Sequence, residues 1–573
     1  MAKGKNEKPE DFIYLAALEN AIKFKGQANP KALIGKVLGQ FPEFRKDTKK
    51  AMQLIDKVVK KVNALSLEKQ TEEMKKLSPD FFEAEKKKKK ERKEEKLELP
   101  ELKNATKGKV VTRMPPEPSK YNHIGHALTF LINYMYAKKY NGKCVLRFED
   151  ANPEKVTQEY IDAMKTDVLD YLDIKPDKIV IVSEDMDKLY KCAEQLIKGD
   201  HAYVCFCSQD AMGKNRREGK DCKCRKSDAK KNMDDWKKML GRKYKPGECI
   251  LRLKIDMKHK NTTMRDPVIY RIDTHKHYKY KDKYYVWPMY DFYTSIEDNW
   301  CGVSHVLRSA EFEMRGELQN YIRSLLKMPN PETAVYGRFN IKGAITQGRD
   351  IRALIEQGKV SGWDDPSLVT LRALKRRGIV KDTYYELAVR AGMSKQQTNI
   401  DWTLISTINR KFLDESVDRY YFLKDPVEIT VENAPAITST LDLHPTHRKG
   451  GRTLKSDGKF LVDKDDLKNL KVGEMMRLMN CLNFIKKGKD KYVYDSQTHD
   501  DFKKKNGKSI IHWLPADENN MKISIRMPDN SFTEGLAESN IKKIKQGDII
   551  QFERYAFVRL DNKKDWTFWF THK

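Results

Sequence analysis

One stretch near residue 110 limits the fold more than any other. Val110-Val111-Thr112-Arg113 is a short β-branched run, and the turn-rich Pro115-Pro116-Glu117-Pro118-Ser119 cannot continue it. Gly125 to Lys139 then carries helical periodicity, and Cys144-Val145-Leu146-Arg147-Phe148-Glu149-Asp150 reads as a buried second strand. Strand, turn, helix and strand within about 40 residues make a βαβ unit, which predicts a parallel sheet.

The flanks have a different texture. Phe12, Leu15, Ala16, Leu18 and Ile22, then Val58, Val59, Val62 and Leu65, recur at helical spacing, so residues 1 to about 80 are expected to be helical. The run from Glu85 to Lys96 holds eight basic and four acidic residues and no apolar one. It reads as a solvated helix or linker, or as a tether that touches RNA. The region of Pro100 marks a boundary. Residues 346 to 420 look helical again, and from about Val427 short strand-like runs alternate with Gly/Asn/Asp turns, as in Gly547-Asp548-Ile549-Ile550-Gln551-Phe552.

Charge bears on the partner. Lys and Arg number 112 against 83 Asp and Glu, a net +29 in 573 residues, which makes a polyanion such as nucleic acid the first partner to consider. No apolar run approaches the ~20 residues of a membrane helix, and Met1-Ala2-Lys3-Gly4-Lys5 is not followed by a signal-peptide core. A soluble, cytoplasmic protein is expected, and its nine cysteines suit a reducing compartment rather than a disulfide framework.

Chemistry concentrates in Pro118-Ser119-Lys120-Tyr121-Asn122-His123-Ile124-Gly125-His126. Two imidazoles flank a glycine where a loop enters a helix, and a helix start already favours anions through its free N–H groups and dipole. By themselves these residues also fit a histidine pair satisfied by capping. Cys205-Phe206-Cys207 and Cys222-Lys223-Cys224 form two clips separated by 14 residues. Four thiolates close a tetrahedral zinc site, and Gln209 to Asp221 is too polar to form a core. Four reduced thiols on a loop is the plainer alternative. Cys144, Cys192, Cys249, Cys301 and Cys481 are scattered and carry no pattern. Arg271 to Lys281 is basic and aromatic together, which suits either unpaired bases or a solvated hairpin.

Several segments, in order, resemble the class I aminoacyl-tRNA synthetases of the glutamyl/glutaminyl group. They are Thr112 to Ser119 before His123-Ile124-Gly125-His126, Leu146 to Asp150, Trp287-Pro288-Met289-Tyr290-Asp291-Phe292, Gly302 to Arg308, and Gly362-Trp363-Asp364-Asp365-Pro366. The ending Gln551 to Arg559 with Phe568 to Lys573, and the lysine-rich extension, look like those of archaeal glutamyl members. The resemblance implies a multidomain α/β fold. Its parts are an N-terminal helical extension (1–100), two halves of a Rossmann-like catalytic domain (101–200 and 286–345), an inserted zinc-bearing acceptor domain (201–285), a signature loop with helical connector (346–425), and C-terminal antiparallel β-barrels that bind the anticodon (426–573).

It also implies roles. ATP lies on Pro116, His123, Gly125 and His126, with Mg²⁺ shared among its phosphates, and L-glutamate on Arg113, Asp150, Tyr290 and Arg308. Structural Zn²⁺ is held by Cys205, Cys207, Cys222 and Cys224. The family's second signature loop carries a lysine that steadies the leaving pyrophosphate. Here Ala344-Ile345-Thr346-Gln347-Gly348-Arg349-Asp350-Ile351-Arg352 has none, and Arg349 is expected to supply that charge as a catalytic and ATP-binding residue. The implied activity is glutamate–tRNA ligase acting on tRNA(Glu), with tRNA(Gln) open as a second acceptor. A glutaminyl-tRNA synthetase is the nearest alternative, and a non-catalytic tRNA-binding relative is a second. Arg372, Lys375, Arg376 and Arg377 are candidates for the inner corner of tRNA. The N-terminal extension is a candidate dock for a protein partner, and no membrane is expected.

Overall fold

The computed structural model describes residues 8–24, 26–82 and 98–573. The charged run 85–96 lies outside them. Two compact units emerge, Met1–Glu98 and Leu99–Lys573.

In the first unit, helices Pro9–Lys23, Pro30–Gln40, Thr48–Asn63 and Leu67–Leu77 follow the predicted periodicity. Three of the starts are capped by side chains: Asn29, Asp47 and Ser66 accept from Lys31 N, Lys50 N and Lys69 N. Their apolar stripes meet in a core of Ile13, Ala17, Val37, Ile55, Val59 and Val62. The buried Gln70 amide donates to the carbonyls of Val62 and Gly26, closing the bundle at one end.

In the second unit, strands Val111–Met114, Lys143–Phe148 and Lys178–Ile181 pair in parallel in that order. Helix Ile124–Lys139 crosses over between the first two and buries Leu128, Leu131 and Tyr136 against Leu146 and Phe148. The predicted βαβ unit is thus present. A second parallel pair, His305–Ser309 with Glu332–Tyr336, adjoins the first strand: Val111 N donates to Ser304 Oγ (2.8 Å), and Ser304 N donates to Val111 O (3.0 Å). Farther along these neighbours the Arg113 guanidinium stands between them and donates to Leu307 O (3.4 Å). That gap is the floor of the cleft described below, where parallel α/β sheets open their binding crevices.

Between the two strand sets lies a four-stranded antiparallel sheet, Ala202–Cys205, Ile250–Leu253, Val268–Ile272 and Val286–Pro288. Trp236, from helix Ala229–Leu240, is wholly buried in its core. After Tyr336, strand Phe339–Ile341 pairs in parallel with Thr398–Ile400. Helices Gly348–Glu356, Leu371–Arg376 and Lys381–Ala391 lie between the two in sequence, and Trp402–Leu413 follows.

The C-terminal part is rich in strands, as expected, and its two large sheets are mixed rather than wholly antiparallel. Two seven-stranded sheets and a two-stranded ribbon form, and no ladder among the described residues closes either large sheet. Asp418–Tyr420 runs parallel to Ile549–Phe552, and Pro426–Glu432 runs parallel to Lys491–Ser496. The edge strands explain the openness. Asp418–Tyr420 and Phe422–Leu423 are the two edges of one sheet and are separated by Tyr421 alone; Ser509–Ile511 and Leu514–Pro515 bound the other and are separated by His512 and Trp513. The two edges of each sheet are thus neighbours along the chain, and no ladder joins them among the described residues.

The last strand, Thr567–His572, ties this part to the helical segment. Arg377, buried and without a carboxylate partner, donates to the carbonyls of Pro366, Phe570 and Thr571. Asn409 meets the His572 ring at 3.0 Å, and Arg376 pairs with Asp561 through two contacts of 2.7 Å. Arg377 is 4% exposed, whereas the Arg376 side chain keeps 37% of its surface while pairing with Asp364 and Asp561. Arg372 lies over the Tyr121 ring and Lys375 over Tyr171.

Candidate active site

The helix that starts at Ile124 is capped by its own histidines. His123 Nδ1 accepts from Gly125 N (3.0 Å), and His126 Nδ1 accepts from His123 N (3.1 Å). A backbone N–H is always a donor, so both Nδ1 atoms must be unprotonated acceptors and each neutral ring keeps its proton on Nε2. Burial and the nearby Lys120 hold His126 down to about 3, and burial with the adjacent His126 holds His123 well below its ordinary range. The rings lie 4.0 Å apart. The capping alternative and the functional one thus coincide: Nδ1 caps, and Nε2–H is left to donate. Gly125 is required, because a Cβ there would sit 2.9 Å from His123 Cε1.

These histidines line a cleft of roughly 550 Å³ together with Pro116, Gly125, Arg113, Tyr290 and Arg308. Of the expected substrate residues, then, most converge. Arg113 is held by Asp298, with Nε donating to Oδ1 at 3.1 Å. Asp298 also takes Arg147 (2.8 Å) and Arg323 (3.3 Å), and these cations keep its carboxyl below the usual range despite complete burial. Among the described residues Arg308 has no carboxylate partner. Its NH1 donates to Gln319 Oε1 (2.7 Å), whose amide donates onward to Asp291 (3.0 Å), and Gly316 leaves room for it, since a Cβ there would lie 2.9 Å from NH2.

Two expected residues stand elsewhere. Asp150 is fully buried away from the cleft. Its carboxylate accepts from Ser183 N (2.8 Å), Ser183 Oγ (2.6 Å) and Tyr278 OH (2.9 Å), with His277 at 3.4 Å. Its neighbour Glu149 lines the cleft instead, held by Arg147 (2.8 Å) and Thr294 (3.1 Å). The same contacts turn His277 and Tyr278 inward from the basic–aromatic segment. Arg349 is 86% exposed, pairs only with Asp350, and is not among the cleft's lining. The cations beside His123 and His126 are Lys120 and Arg338.

The four clip cysteines meet. Their sulfurs lie within 4.8 Å of one another, and Cys205 and Cys222 are 3.8 Å apart. Zn–S bonds of about 2.3 Å give tetrahedral edges of about 3.8 Å, so a set of four sulfurs this close, one pair already at 3.8 Å, suits zinc. Arg252 NH1, at 3.7 Å and 3.9 Å from two of the sulfurs, supplies positive charge beside thiolates.

With this geometry in place, comparison with known proteins is decisive. Residues 109–415 match the catalytic domain of the tRNA synthetases class I (E and Q), and 417–499 and 510–561 match two models of the family's anti-codon binding domain. The chain belongs to this family. Among its relatives, the glutamate–tRNA ligase of Pyrococcus furiosus is 40% identical over 553 residues, covering 95% of this chain and 96% of that one. That of Methanocaldococcus jannaschii is 38% identical over 557 residues, covering 97% and 98%.

Proposed function

We propose that this chain is a glutamate–tRNA ligase that activates L-glutamate with ATP and transfers it to the 3′ end of tRNA(Glu). Beside the near-full-length likeness to such ligases, the observation that carries the choice of amino acid is Arg308. It is a buried guanidinium in the cleft that makes no ion pair among the described residues, set near Arg113, and a glutamate side chain supplies the missing charge where glutamine would not. Tyr290 walls the same space, and Glu149 takes the role first given to Asp150, as the carboxylate available to the ammonium group.

The nucleotide is assigned to Pro116, Gly125 and the two Nε2–H donors of His123 and His126. The glutamate carboxylate attacks the α-phosphorus, the bond to the β-phosphate oxygen breaks, and its electron pair leaves with pyrophosphate. A terminal ribose hydroxyl of tRNA then attacks the acyl carbon of the adenylate; the acyl–phosphate oxygen bond breaks, AMP leaves with its electron pair, and the hydroxyl proton is lost to the phosphate or to solvent. Catalysis by such a cleft is mainly positioning and charge stabilisation. Mg²⁺ would neutralise phosphate charge; the lining at that end offers Lys120, Arg338 and two neutral imidazoles with Glu117 as its carboxylate, which suits a metal held mainly by the phosphates and water. Residues 101–200 and 286–345 form the catalytic halves in this reading. Residues 201–285, braced by zinc on Cys205, Cys207, Cys222 and Cys224, grip the acceptor end. Segment 346–425 connects, and 426–573 reads the anticodon. Residues 1–100 are assigned to docking a protein partner.

The test is charging of total archaeal tRNA with labelled glutamate and, separately, glutamine, in the presence of ATP and magnesium. Glutamate transfer is expected. Transfer of glutamine alone would move the chain to the sister enzyme, and transfer of neither by folded, tRNA-binding protein would leave a binding relative.

A further inference from the structure

At its histidine end the cleft holds two cations, Lys120 and Arg338, that make no ion pair among the described residues, with Glu117 as the nearby carboxylate. Lys120 precedes His123 by three residues, is half-buried, and makes no ion pair among the described residues. Its one side-chain hydrogen bond runs from Nζ to the carbonyl of Thr346 (3.4 Å), inside the loop that was expected to carry a lysine and does not. The stem passes over Gly348: a Cβ at that position would lie 3.0 Å from Lys120 Cδ and 3.3 Å from its Cβ. Arg338, on the cleft's rim, is likewise without an ion pair among the described residues. Burial and the repulsion of Arg338 and Arg352 press the Lys120 ammonium below the ordinary lysine range, only partly offset by Glu117. A lysine kept in such company is stabilised by a polyanion. The adjoining donors, two neutral imidazole N–H groups, suit phosphate oxygens.

We propose that Lys120 is a catalytic phosphate-binding residue, reaching from the first signature loop into the second to hold the triphosphate tail and the departing pyrophosphate, with Arg338 beside it at the rim. It does in this chain what a lysine of the second loop would otherwise do, and the space left by Gly348 is what admits it. As the Pα–O bond breaks, charge accumulates on pyrophosphate oxygens, and the ammonium stabilises it by hydrogen bonding without giving up its proton. This inference rests on the ligase reading.

Lys120→Met, which keeps the stem, and Lys120→Arg, which keeps the charge, separate packing from electrostatics. Gly348→Ala intrudes on the stem while favouring the helix that begins there. In tRNA charging, Lys120→Met is expected to lose roughly 10²- to 10³-fold in kcat with the KM for glutamate and the melting temperature unchanged. Lys120→Arg should recover at least about tenfold of this, and Gly348→Ala should fall in the same direction as Lys120→Met. ATP binding by equilibrium dialysis should weaken about tenfold in Lys120→Met. Wild-type protein that charges tRNA while Lys120→Met stays within about threefold of it in kcat and ATP affinity overturns the inference and leaves the ligase reading intact. A loss that Lys120→Arg does not relieve also overturns it. Wild-type protein that charges no tRNA fails the ligase reading; the dialysis result then decides on Lys120 alone.

Discussion

Arg308 is costly to the fold and valuable to the site. Burial and the nearby Arg113 pull its guanidinium below the ordinary arginine range, and its nearest acid is reached only through Gln319. Arg308→Gln is therefore expected to hold or raise the melting temperature while lowering kcat/KM for glutamate by about 10²- to 10³-fold, read by calorimetry and by charging kinetics. Glu297 shows the opposite sign of burial. Neither of its oxygens has a partner, and desolvation pushes its carboxyl up to about 8 against an ordinary 4.5. Its proton is kept on folding, so stability from this group is intact below pH 4.5 and falls as pH rises toward 8, by roughly 5 kcal/mol in all. Glu297→Gln should flatten the pH dependence of denaturant stability between those limits. A slope the same as wild type would exclude Glu297 as its source. The histidine pair and both cleft arginines were legible in the sequence because they sit in ordered, recognisable segments. Glu149 was not, because adjacent residues at a strand end face opposite sides and composition does not say which side is the cleft. Asp298 left a fainter signal, an acid amid the apolar face of Tyr290–Trp300. Lys120 left none, since its meaning depends on a loop more than 200 residues away.

Elements with strong local patterning were read closely. The strand expected at Val110–Arg113 is Val111–Met114, and the helix expected at Gly125–Lys139 is Ile124–Lys139. The C-terminal sheets were legible as strands but not as sheets. Parallel pairs such as Ser524–Arg526 with Thr567–Trp569 join segments far apart in sequence, and neither turn chemistry nor alternation records them. The Cys-x-Cys clips lie between these cases: spacing named the four cysteines, and folding brings them together. Treatment with a strong chelator should release one zinc per chain, measured by atomic emission. It should also lower the melting temperature and raise the KM for tRNA more than the KM for ATP, because the clips brace the inserted sheet and not the nucleotide end. Cys222→Ser should reproduce the effect. A chain that binds no zinc yet charges tRNA normally would return the four thiols to the plainer reading.

Across the second unit, the catalytic and strand-rich parts are joined through a small number of buried polar contacts, and Arg377 is the one with most to lose. Burial draws it down to about 10; three backbone carbonyls and the Trp402 ring, 4.5 Å away, are its company. Deleting residues 570–573 removes two of those carbonyls and the His572 partner of Asn409. The expected cost is about 3 kcal/mol or more, seen as a lower urea midpoint and as faster proteolysis of the connector. Arg377→Met in the deleted chain should restore part of the loss, since no orphaned cation then remains.

That latch decides where the strand-rich part tolerates change. Lys573 is exposed, so residues joined after it leave the connection whole, whereas a chain trimmed into Phe570–His572 keeps its cleft side chains and opens its interior beside Arg377. Trimmed chains of that kind are the ones proteases would cut first.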